Sequence, residues 1–243
     1  MADLLSIASG IAGFGPAMAL MFYTLRDYTY PAVEKPFFND KKIFAFFALG
    51  IVIGMLLFAF ESWGQTISST KTLLALIVGF AVMEELLKLV VLNYPKFQRK
   101  VDTAFYGLSF GLGISATFTF ATIYASALSL ETVKAEDMVA FSLLGVQLVL
   151  LHGSTTALIG IGVARGNVKA YFVEALLFHL GYNVLMIPFF MFEIVTPPFN
   201  LLGLAAASAV VIYAYVKVHR TSLPALVWDA KRLSRKAEPV KRT

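Results

Sequence analysis

From Thr103 to Leu130 the chain carries no Asp, Glu, Lys or Arg, and the same holds from Met138 to Ala164 and from Ile194 to Val216. At helical rise, runs of this length span the ~30 Å hydrocarbon core of a bilayer. They are continuously apolar rather than alternating, which selects helices over barrel strands. Of the 243 residues, 58% are hydrophobic and 14% charged, where a soluble domain has about a quarter charged. The mean hydropathy is +0.76. A soluble fold has too little interior to hide this much apolar surface, so the chain belongs in lipid.

Seven spans are expected, over Leu4–Leu25, Ile43–Phe60, Thr72–Tyr94, Ala104–Leu130, Met138–Ala164, Val168–Phe192 and Leu201–Val216. The fold class is therefore all-α, a polytopic membrane helical bundle. Residues 1–216 form the seven-span transmembrane domain and residues 217–243 a basic cytoplasmic tail. Alternate loops hold seventeen of the twenty Lys and Arg, the other loops only Lys71 and Lys134, and Lys88 alone falls inside a span. Positive charge marks the cytoplasmic side, which places the N-terminus outside and the C-terminus in the cytoplasm. The start, Met1-Ala2-Asp3-Leu4-Leu5, lacks the basic region of a cleaved signal, so the first run is expected to be a retained helix. The tail's Lys231, Arg232, Arg235, Lys236, Lys241 and Arg242 suit anionic lipid rather than nucleic acid. With no cysteine, disulfides, thiolate nucleophiles and Cys-based metal sites are excluded.

Ionisable side chains inside a span are costly and each requires a reason. The third span carries Glu84, Glu85 and Lys88, with Lys88 expected on the face of Glu84 at i+4. His152 falls near the middle of the fifth span, and His179 reaches a similar depth in the sixth, with Asn183 one turn further on the same face. Glu174 lies at about the depth of Lys88, and a structural Lys88–Glu174 ion pair is expected. Two carboxylates, two imidazoles and an amide suit peptide hydrolysis by water, with a buried Glu as base and His or amide donors for the oxyanion. No serine occupies a nucleophile motif. Zinc held by Glu84, His152 and His179 is the competing chemistry; the glutamate–water reading requires no cofactor. The glycines of the fourth span, Gly107, Gly111 and Gly113, are expected to serve close helix packing.

Glu84-Glu85-x-x-Lys88, then His152, then His179-x-x-x-Asn183, resembles the PrsW-type intramembrane proteases, which sit with the CAAX prenyl proteases and bacteriocin-processing enzymes in one superfamily. The resemblance implies that Glu84 and Glu85 with His152 activate water and that His179 and Asn183 form the oxyanion hole. It implies a membrane-anchored protein or peptide substrate, anti-sigma factors being those of PrsW-type enzymes, and the cell membrane of a prokaryote. A second resemblance is to Aph-1, the seven-span scaffold subunit of the presenilin-containing γ-secretase. It rests on Phe14-Gly15-Pro16-Ala17-Met18-Ala19-Leu20, Gly107-Leu108-Ser109-Phe110-Gly111, Leu150-Leu151-His152 and His179. PrsW-type proteins usually carry a further acidic residue in the span after the glutamate pair; Gly113–Thr119 has none here, while Aph-1 typically lacks the glutamate pair and the Asn that this chain keeps.

Two readings of function follow. The first is an intramembrane endopeptidase. The second is a non-catalytic scaffold for another membrane protease subunit. A light-driven pump is disfavoured, because Leu201–Val216 contains no lysine for a retinal Schiff base.

Overall fold

The computed structural model describes residues 2–66, 70–129, 134–190 and 199–237, and among these it is all-helical. The elements are α1 (Ala2–Leu25), α2 (Asp40–Thr66), α3 (Thr70–Leu92), α4 (Asp102–Ser129), α5 (Ala135–Arg165), α6 (Val168–Phe190), α7 (Phe199–Lys217) and α8 (Leu223–Ala237). Among the described residues, six helices are long and apolar enough to cross a membrane, the composition of an integral membrane protein. α3 has the length but not the uniform apolarity, because it carries Lys71, Glu84, Glu85 and Lys88. The perimeter exposes Phe22, Phe44, Met55, Leu177 and Ile212. Such a surface is unfavourable in water and matches lipid.

α4 and α5 form the centre. α4 packs against α1, α2 and α5, and α5 also meets α6 and α7. The closeness of these contacts explains the glycines of α4. A Cβ on Gly111 would run into the carbonyl oxygen of His152, and one on Gly113 into that of Phe47. The expectation of packing glycines thus has a geometric basis: backbone meets backbone, with no room for a side chain. At the C-terminus of α5, Gly166 adopts a left-handed φ of 71° and its N–H returns to the Gly162 and Val163 carbonyls. That is a glycine cap satisfying the helix's last acceptors.

Two expectations need revision. α2 runs on to Thr66 rather than ending at Phe60, which brings Glu61 inside the helix. The stretch after Val216 is not simply a solvated tail. α7 passes through a π-helical turn (Val218–Ser222) into α8, and Val218, Leu223, Leu226 and Val227 join the buried core. Arg165 on α5 donates to Asp229 on α8 at 3.1 Å, and the Lys231 ammonium lies 5.3 Å from the Phe37 ring centroid. The apolar residues at 218, 223, 226 and 227 recur at helical spacing and give α8 one face to bury. Residues 238–243 lie outside the described residues.

Candidate active site

α3, α5 and α6 bring their ionisable residues together at the middle of the bundle. Glu84, Glu85, Lys88, His152 and His179 are all buried, Glu85 and Lys88 completely. α3 is held there by its second half: Ala81, Glu84, Glu85, Lys88 and Leu92 are buried, whereas Ala75, Val78 and Gly79 are exposed. The buried positions recur every three to four residues and form one face.

The Lys88 ammonium is the hub. It donates to Glu85 Oε1 at 2.6 Å, to His152 Nδ1 at 3.1 Å and to Thr155 Oγ1 at 3.3 Å. His179 Nδ1 meets the same Glu85 oxygen at 2.6 Å. Two ring orientations follow from this network. Because Lys88 donates to His152 Nδ1, the His152 ring proton resides on Nε2. Because His179 Nδ1–H donates to Glu85, the other nitrogen of His179, Nε2, is turned toward Glu84 at 3.8 Å. His152 Nδ1 lies 3.6 Å from Glu84 Oε2, beyond hydrogen-bond length. The two imidazoles stand edge to face, 5.3 Å between centroids at 89°.

The two glutamates therefore differ. Glu85 is engaged through one oxygen by an ammonium and an imidazole, and it fixes the histidine's orientation. Glu84 lines a cavity of about 530 Å³, shared with His152, His179 and Asn183. Its Oε2 is buried with no donor from the protein. The cavity walls are otherwise mainly apolar, with Phe58, Ile77, Phe80, Phe118, Leu148 and Met186 among them. A mainly apolar cavity with a few convergent polar groups is the common form of a small-molecule or peptide site.

The expected Lys88–Glu174 pair is not formed. Glu174 pairs with Lys217 of α7, both partly exposed, and Lys88 turns to Glu85 at i+3 rather than to Glu174. The reason is the direction of the faces: Lys88 points with Glu85 into the bundle, and Glu174 points along α6 toward α7. Lys88 shares the buried face of Glu84 at i+4, and its hydrogen bonds go to Glu85, His152 and Thr155.

Three residues of the site lie outside the sequence expectation. Thr155, one turn after His152, supplies an acceptor to Lys88. Tyr182 lines the cavity and donates to Gln147 Oε1 at 3.2 Å. Glu61 is the most consequential. It enters the cavity from α2, where it lines the same wall as Glu84, and its Oε1 is buried without a donor. Among the described residues no three His, Asp or Glu side chains are grouped as metal ligands. Nδ1 of each histidine is already bonded, one to an ammonium.

Comparison with protein-family models, with curated proteins and with solved structures finds no match for this chain.

Proposed function

We infer that this is a seven-span membrane protein, N-terminus outside and C-terminus cytoplasmic, that hydrolyses a peptide bond of a membrane-anchored protein or peptide. α3 is the seventh span in this reading. Glu84, Glu85 and Lys88 are turned inward against α5 and α6, so its lipid-facing side is free of their charge. The orientation rests on the Lys and Arg of alternate loops, which cluster at one end of the bundle.

The observation that carries the enzymatic reading is Glu84. Glu85 and Lys88 offset each other's burial. Glu84 Oε2 is left buried at a cavity wall beside two oriented imidazoles and an amide. Removing a carboxylate from water costs several kcal/mol unless it is paired, and such a group facing a cavity is the usual mark of a functional site. Glu84 takes a proton from water in the cavity, and the resulting hydroxide attacks the substrate carbonyl. The hydrogen-bond network favours an allocation of the histidines opposite to that implied by the resemblance. His152 carries its proton on Nε2 and, with the Asn183 amide, is a donor to the oxyanion. His179, held by Glu85 as an aspartate holds the histidine of a hydrolase triad, presents Nε2 toward Glu84 and assists the base.

The test is proteolysis of a panel of single-span substrates by the purified protein in lipid, beside Glu84→Gln, with and without chelator. A loss of about 100- to 10,000-fold in Glu84→Gln is expected for a general base. Cleavage that survives the substitution removes Glu84 from the mechanism, and cleavage lost with chelator assigns the chemistry to a metal.

The scaffold reading is supported by a different observation: the Lys88–Glu85–His179 knot joins α3, α5 and α6 whether or not any bond is cleaved. Its signature is stable co-purification with a second membrane protease whose activity requires this chain, together with no cleavage by this chain alone.

A further inference from the structure

α2 and α4 lie side by side in a constant register. A Cβ on Gly50 would meet the Phe110 carbonyl and one on Gly54 the Ile114 carbonyl, and the Phe58 and Phe118 rings stand edge to face at 5.7 Å. One turn further on, the same register sets Ser62 level with Thr122, with Glu61 beside Ser62, and all three line the cavity. α3 crosses this level at Phe80, whose ring lies 5.8 Å from that of Phe60 and would be met by a Cβ on Gly64. Glu84 is one helical turn deeper, about 6 Å along the axis. The cavity therefore has two polar levels. The inner one holds Glu84, His152, His179 and Asn183; the outer one holds Glu61 with the hydroxyls of Ser62, Thr122 and Ser126.

The outer level carries a carboxyl with no cation to answer it. Among the described residues, the lining contains no Lys or Arg. The Lys88 ammonium commits its three N–H groups to Glu85, His152 and Thr155, and His179 Nδ1 is held by Glu85. Glu61 Oε1 stays buried with no hydrogen-bond partner. So does Oε2 of Glu84 in the same wall, on a residue only 4% exposed. A carboxylate is costly to bury unless it is paired. The wall beside it is aromatic, with the rings of Phe58, Phe80 and Phe118. Rings and a carboxylate together favour an organic cation.

We propose that the outer level of the cavity is a subsite for a basic side chain of the substrate, its ammonium or guanidinium seated on the Glu61 carboxylate and the hydroxyls of Ser62 and Thr122. The proposal takes its substrate from the peptidase reading and adds what that substrate carries: a Lys or Arg near the bond cleaved, on its outer side. The apolar stem of such a side chain suits the aromatic wall, while its charged head requires the carboxylate. An ammonium has three donors, which a carboxylate and two hydroxyls accept. An extended chain rises about 3.3 Å per residue, so the turn between Glu84 and Glu61 sets the basic residue about two positions from the bond.

The experiment measures binding and cleavage of an N-acetylated single-span peptide in phosphatidylglycerol vesicles, whose headgroups carry no cationic nitrogen. A lysine is moved along the outer half of the peptide, with norleucine at the same position as reference. At its best position the lysine peptide is expected to bind the unsubstituted protein about 30-fold tighter than the norleucine peptide, as a buried charge pair does. Glu61→Gln should bring that ratio to about one, Glu61→Asp should keep part of it, and Glu61→Lys should turn the preference to glutamate. Equal binding of the two peptides by the unsubstituted protein overturns the subsite. A lysine preference that survives Glu61→Gln or Glu61→Lys overturns the role of Glu61. Added phosphatidylethanolamine should leave the ratio unchanged; a ratio reduced to one would assign the subsite to a lipid headgroup instead. Cleavage without a lysine preference overturns the subsite alone. A Glu61-dependent preference in binding, with no cleavage, keeps the subsite and overturns the peptidase chemistry.

Discussion

At the residue scale, the buried charges divide into those that answer one another and one that does not. Lys88 and Glu85 are both fully buried and 2.6 Å apart. Removing one partner of such a pair leaves the other stranded at a cost of about 3–5 kcal/mol, whereas removing both together is often tolerated. Lys88→Met is therefore expected to lower the unfolding temperature sharply, and the Glu85→Gln/Lys88→Met double variant to regain much of the loss. A double variant as unstable as the sum of the single variants would show that the two side chains do not interact. Glu174 and Lys217 are the contrast. Their side chains are 28% and 34% exposed, and a pair that open to its surroundings is worth about 0–1 kcal/mol. Exchanging the two, Glu174→Lys with Lys217→Glu, should leave stability and cleavage almost unchanged; a large loss in that exchange would point to a role for Glu174 beyond the pair.

At the element scale, α4 and α5 have to stay in backbone contact for the site to exist, because His152 hangs from the turn that Gly111 touches. Gly111→Ala places a methyl group against the His152 carbonyl. Helices that cannot separate freely meet such overpacking at about 1–3 kcal/mol. The variant should lose thermal stability by that order and lose cleavage as His152 is displaced; full activity in Gly111→Ala would mean that the two helices have slack at this level. The same scale explains what the sequence made readable. The helices were visible because lipid demands apolarity all round, and the depths of Glu84, His152 and His179 followed from counting along spans. Glu61 was not visible. A charge at the end of an apolar run looks like the end of the span, and only the tertiary fold shows that α2 continues past it and that Glu61 lines the cavity beside Glu84. Likewise the i+4 stagger of Glu84 and Lys88 is correct as helix geometry, but it cannot say that Lys88 bends to Glu85 and across to α5. Tertiary contacts set those partners, and periodicity along one helix does not encode them. The core face of α8 was hidden for the opposite reason: its basic residues dominate the composition of the segment and mask Leu223, Leu226 and Val227.

At the scale of the whole molecule, the position of the cavity and the orientation of the chain are one question. The cavity is lined by residues from Phe58 to Ser62 late in α2, from Ile77 to Glu84 in the middle of α3, from Phe118 to Ser126 late in α4, from Leu144 to His152 up to the middle of α5 and from His179 to Ile187 in the second half of α6. These segments run from the middle of the bundle toward the end away from the basic loops, beside Ala75, Val78 and Gly79, which are exposed on α3. On the proposed orientation and peptidase reading, the cavity opens from mid-membrane into the outer half, and the bond cleaved would lie nearer the outer end of a substrate's span. A chain without cysteine makes this directly measurable, since every thiol is one that is introduced. Lys134→Cys, at the start of α5, and Lys100→Cys, before α4, lie at opposite ends of the bundle and are both exposed. In intact cells a membrane-impermeant maleimide should label Lys134→Cys at once and Lys100→Cys only after permeabilisation. The reverse pattern would invert the molecule and move the cavity, and the cleavage site with it, to the cytoplasmic half. Labelling of both without permeabilisation would mean that the chain between them crosses the membrane an even number of times, contrary to a single passage of α4.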